Sequence, residues 1–112
     1  MMRVPVWTLA FLSFCAAASA QDKPLVIPQV EGAKQGRIIG RAMVCGVPQE
    51  RTGALIKINR ERMLAAVGSA FTEDRYLPEL DRTIAFETSL PPPSEAACAK
   101  AIMAFDALER AR

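Results

Sequence analysis

From Glu31 to the end of the chain the apolar residues recur at helical spacing, and nowhere do they alternate for more than a few positions. β-Branched residues are sparse. A half-buried strand needs a two-residue period, so this patterning points to helices and no sheet. Glycine and proline divide the run into four amphipathic segments. The expected fold is all-α, a small bundle of about four helices.

Successive residues of a helix are rotated by about 100°. On that wheel Gln35, Ile38, Ile39, Ala42, Met43 and Cys45 share one broad arc of the first segment. Gly46 is a suitable C-terminal stop and Pro48 a suitable first position for the second segment. That second segment, Pro48 to Phe71, has Ile56, Met63, Leu64, Val67 and Phe71 as its main stripe. Thr72, followed by Glu73 and Asp74, reads as the N-cap of the third, in which Tyr76, Leu77, Leu80 and Ile84 cluster on one side. Pro78 costs a backbone hydrogen bond there, so the regular helix is expected to start at that proline. The "PPPSE" stretch, residues 91–95, ends the third helix, and Ser94 caps the fourth. In the fourth, Cys98, Ala101, Ile102, Phe105 and Leu108 occupy one arc.

Ahead of these segments, Arg3 precedes an apolar run from Val6 to Ala17, and Ala18-Ser19-Ala20 supplies small residues for a signal peptidase. Residues 1–20 read as a signal peptide, too short for a permanent span. Cys15 is the alternative as a lipid-attachment site, although Phe14 stands where such sites carry Gly or Ala. Residues 21–30, "QDKPLVIPQV", have two prolines and no period, and read as an extended lead-in to a helical domain over 31–112. The expected location is periplasmic or secreted, with cleavage near Ala20. No transmembrane segment is expected in the mature chain.

Export fixes the meaning of the cysteines. Cys45 and Cys98 remain, an even pair in an oxidising compartment, and both fall on inward-facing arcs. They read as a disulfide; an intermolecular or regulatory bond and a catalytic thiol are the alternatives. Closing the loop from Cys45 to Cys98 stabilises a chain by roughly 4 kcal/mol on the entropy model. A domain this small buries too little surface to make such a contribution superfluous.

The chain contains no histidine. That removes Ser-His-Asp and Cys-His nucleophilic arrangements, most zinc sites and c-type haem attachment. No C-x-x-C pair and no calcium-loop motif is present. Paired catalytic acids are the remaining route, with Glu73, Asp74, Glu79, Asp81 and Glu87 as candidates. Their spacing reads instead as a solvated acidic face. No metal, no cofactor and no catalytic residue is expected.

Residues 34–62 are mostly basic and residues 73–95 mostly acidic. Two accounts fit this segregation. Either the segments pack side by side so that opposite charges complement one another, or the row Lys34, Arg37 and Arg41 contacts anionic headgroups, acidic polymer or a protein. Arg60 falls inside the apolar stripe of the second segment. It either snorkels out, pairs with an acid of the third segment, or marks an anion site; a break near Asn59 would rotate it off the stripe. Gly36 and Gly40 form G-x-x-x-G, which permits close helix packing. Overall charge is nearly balanced, 14 Lys and Arg against 12 Asp and Glu, which argues against nucleic-acid binding.

The pattern "RAMVCGVP", a following basic helix, the proline-rich break and a second cysteine in the last helix resemble a type of short secreted helical protein of proteobacteria. The resemblance spans most of the chain after residue 20 and implies no activity. In general plan the chain is also similar to acid-stress chaperones of the HdeA type. The expectation is a small exported interaction or stress-protective protein, not an enzyme, that meets another protein or itself. The alternative is a binder of anionic surfaces. Lys34, Arg37, Arg41 and Arg60 are the candidate partner-binding residues.

Overall fold

A computed structural model describes residues 25–111 and shows an all-α bundle with no strand among them. The leader expected over residues 1–20, with Cys15 inside it, lies outside the described residues. Four helices carry the fold: α1 (Pro28–Val44), α2 (Gln49–Val67), α3 (Leu77–Ser89) and α4 (Glu95–Arg110). Ile39, Ala42, Val47, Leu55, Met63, Tyr76, Leu80 and Phe105 form the buried core, so every helix contributes to it.

Helix α1 starts at Pro28, three residues ahead of Glu31, because proline's fixed φ suits a first turn that needs no N–H from it. It ends as the sequence suggests. Gly46 adopts φ 99°, the Gly46 N–H donates to the Met43 carbonyl, and the Val47 N–H donates to the Ala42 carbonyl. These are the paired bonds of a Schellman stop, with buried Val47 completing its apolar contact. Cys45 is the C-cap residue of this stop.

Helix α2 differs from its expected course. It runs unbroken through Asn59 and stops at Val67, where Gly68 takes φ 89°. A side chain is strained at that φ, so the glycine fixes the break. One turn, Ser69–Phe71, and a π-helical turn, Thr72–Tyr76, then lead directly into α3. Phe71 is therefore cut off from the α2 stripe and is 54% exposed. The fully buried residues of α2 are Thr52, Leu55, Asn59 and Met63, and Ile56 and Val67 of the expected stripe pack against the same core. Asn59 Nδ2 has no hydrogen-bond partner, while Oδ1 accepts from Arg62.

Thr72 is not the expected N-cap. Its hydroxyl donates back to the Gly68 carbonyl, 2.7 Å away, and it is fully buried. Pro78 accounts for the wide turn before α3: its ring crowds the carbonyl four residues earlier, and a π turn relieves that clash. The extra residue also turns Tyr76 inward, where its hydroxyl donates to Gln35 of α1. Gln35 in turn donates to Glu31 at 3.2 Å.

The closest packing in the bundle is between α1 and α3. It depends on a row of three glycines, Gly32, Gly36 and Gly40, which extends the G-x-x-x-G pair by one turn. A Cβ on Gly36 would stand 2.8 Å from the Leu80 carbonyl oxygen and from Thr83 Cβ. The helix backbones meet there with no room for a methyl group.

Helix α4 begins as expected, with the Ser94 hydroxyl accepting from the Ala97 N–H at 3.1 Å. A disulfide joins Cys45 to Cys98, with Cα atoms 5.3 Å apart. It links the C-terminal cap of α1 to the first turn of α4. On the far side of α4, Arg51 of α2 pairs with Asp106 and Glu109 and lies over the Phe105 ring.

Candidate functional site

Val44 and Ala97, the residues just before the two bonded cysteines, both line a cleft of about 570 Å³. Arg37, Ile38 and Arg41 continue its wall along α1, and Lys100, Ala101 and Ala104 continue it along α4. Leu90, Pro91 and Pro93 of the α3–α4 connection close the remaining side. The two helices thus run side by side away from the disulfide, antiparallel, with the cleft between their outer edges. Ala97, Ala101 and Ala104 recur at i, i+4 and i+7, so α4 presents one smooth, low wall.

The cleft is lined mostly by apolar side chains, with three cations, Arg37, Arg41 and Lys100, among them. Its one carboxylate, Glu87, is 7% exposed and accepts from Arg41 Nε at 3.0 Å. Gly40 makes this pair possible: the point where its Cβ would sit is 2.8 Å from Glu87 Cβ, so only a glycine lets α3 bring Glu87 in beneath Arg41. Glu87 is therefore not part of a solvated acidic face, unlike the exposed Asp74 and Asp81. Arg37 and Lys100 make no ion pair among the described residues. Among the described residues, these two cations, one from each helix, have no carboxylate partner.

The sequence-derived candidates separate into two places. Arg37 and Arg41 line the cleft. Lys34 is exposed and lies on the same side of α1, within about 60° of both on the wheel, one turn beyond the cleft. Arg60 belongs elsewhere: it is exposed on α2 and donates to Glu73 of the π-helical turn at 2.8 Å. Of the options open for it, pairing with an acid of the third segment is the one realised. Lys100 is not among the sequence-derived candidates, because one lysine on the outer side of an amphipathic helix carries no signal by itself. Its place in the cleft with Arg37 and Arg41 exists only once α1 and α4 are packed.

The cleft offers no thiol, hydroxyl or imidazole among its lining residues. Among the described residues no group of three or more His, Cys, Asp or Glu is placed to hold a metal ion. Among the described residues, the two groups whose titration clearly shifts lie outside the cleft. Burial, with Glu31 nearby, pushes Tyr76 up to about 12. Hydrogen bonds to Glu109 and Asp106 raise Arg51. Among the described residues no helix is long and apolar enough to cross a membrane.

The fold and site together define a disulfide-stapled helical bundle with a mostly apolar cleft that three cations help to line. Comparison with protein-family models, with curated proteins and with solved structures gives no match to this chain.

Proposed function

We propose that this chain is a small exported, non-enzymatic binding protein whose recognition site is the cleft between α1 and α4. The observation that carries the reading is the cleft's make-up: mostly apolar walls, three cations among them, and an Arg41–Glu87 pair that already satisfies its one carboxylate. Its volume falls within the range of small-molecule sites, roughly 300–1,000 Å³. The lining side chains suit holding a ligand and supply no group poised for nucleophilic or acid–base work. Export is part of the same reading, supported by the disulfide and by the leader pattern of residues 1–20.

The test uses a neutral, environment-sensitive apolar dye and the purified protein with its disulfide intact. Saturable one-to-one fluorescence enhancement is expected, lost in Ala97→Phe, which fills the cleft from an exposed position, and in Leu90→Asp. Circular dichroism checks that both variants keep their helices. Absence of saturable binding, or binding indifferent to both substitutions, overturns the reading.

One observation favours a second use of the same side of the molecule. Lys34, Arg37 and Arg41 form an exposed basic row on α1, which suits an anionic surface. Its check is salt-sensitive retention on anionic vesicles that reversing those three charges abolishes.

A further inference from the structure

We propose that the ligand of the α1–α4 cleft is a free long-chain carboxylate, with its tail along the alanine row of α4 and its head between Arg37 and Lys100. This deepens the binding reading above and rests on it.

Charge complementarity carries the first step. Three cations border the cleft against one carboxylate, and Arg41 already engages that carboxylate. Arg37 of α1 and Lys100 of α4 line the cleft with no ion-pair partner among the described residues. A single anionic group placed between them relieves their mutual repulsion and ties the two walls together.

The interior carries the second step. Beyond the Arg41–Glu87 pair the walls are Ile38, Val44, Leu90, prolines and alanines, which provide no side-chain hydrogen-bond donor or acceptor. A peptide or sugar lodged there would bury amides or hydroxyls without partners, at a cost in affinity for each. An alkyl chain has no such groups to lose.

Length carries the third. The row from Ala97 to Ala104 spans seven residues of helix, roughly 10 Å at 1.5 Å per residue. That is about two helical turns of apolar wall, along which a single extended alkyl chain can lie.

The experiment titrates the purified, oxidised protein with dodecanoate below its micelle concentration, and with hexanoate, octanoate and dodecanol in parallel. Binding is expected to be one-to-one, with amide NMR shifts concentrated at Leu90, Lys100, Ala101 and Ala104. Affinity should rise about fourfold per methylene from hexanoate upward, then level off once the tail outgrows the trough. Dodecanol should bind about tenfold more weakly than dodecanoate. The double variant Arg37→Gln/Lys100→Gln should lower dodecanoate affinity about tenfold and leave dodecanol unchanged.

Equal affinity for dodecanol and dodecanoate overturns the carboxylate assignment while leaving cleft binding intact. So does tighter binding of an acidic peptide than of any carboxylate, or retention on phosphatidylglycerol vesicles without binding of dodecanoate. If neither the neutral dye nor any alkyl ligand binds, the cleft reading falls along with it.

Discussion

Helix α1 has two seams, and they are built on opposite principles. Toward α3 the glycine row brings the backbones together until no methyl fits, and buried Tyr76 and Gln35 join across the contact. Toward α4 the helices stay far enough apart to leave a cleft of about 570 Å³, and a covalent bond holds them at one end. A seam packed at contact distance holds itself by dispersion and burial over its whole length. A seam that keeps an opening forgoes that contact, and the disulfide supplies what packing does not.

The largest way to break this contrast is to cut the staple. Replacing Cys45 and Cys98 with Ala should cost about 4 kcal/mol in denaturant unfolding, the entropy of the opened loop. Dye binding in the cleft should weaken more than the stability of the α1–α3 seam, read by amide exchange at Ile39 and Leu80. Next comes the glycine row. Gly36→Leu forces a side chain against the Leu80 carbonyl and Thr83, and should cost about 3 kcal/mol or more. A Gly36→Leu protein as stable as the parent would show that the seam is not packed as described.

Alkali should attack the same seam from within. Tyr76 is neutral in the fold and is held up to about 12 against an ordinary 10.0. Its stabilising effect is complete below about pH 10 and is lost as pH rises from there through about 12. The loss is on the order of 1–2 kcal/mol once solvent screening is allowed for. Tyr76→Phe should remove that slope from the alkaline limb of the stability profile. The smallest effect has the opposite sign. Gly53 lies inside α2, and a Cβ added to it would meet nothing within 4 Å, so Gly53→Ala should add about 0.5–1 kcal/mol to stability. Glycine is thus exchangeable where a helix faces water and irreplaceable where it faces α3.

Much of the architecture is legible in the sequence because it is local. The 3.6-residue period, Gly46 as a stop, Ser94 as a cap and the inward arcs of Cys45 and Cys98 each need only a few neighbouring residues to be read. The end of α2 is not, because the apolar period continues across Gly68 to Phe71 and only the backbone conformation at the glycine reveals the break. Nor is Thr72, whose hydroxyl has two possible directions and turns backward to Gly68. The site is half legible. Arg37 and Arg41 stand out as a row on one helix, whereas Lys100, the alanine wall and the burial of Glu87 arise from helices far apart in the chain. Arg60 misleads for a related reason: Asn59, not Arg60, takes the buried place between Leu55 and Met63, which leaves an exposed side chain beside the apolar stripe.

The Cys45–Cys98 bond has one more consequence. Bonded residues at the end of the first helix and the start of the last turn the chain between them into a covalent ring, 53 residues in sequence separation, that contains α2, α3 and the exposed Leu90–Pro92 stretch. A protease that cuts once anywhere in that ring releases nothing. The severed halves remain one molecule of nearly unchanged mass, separable only after reduction. A single cut inside the ring thus leaves the chain covalently whole until the disulfide is reduced.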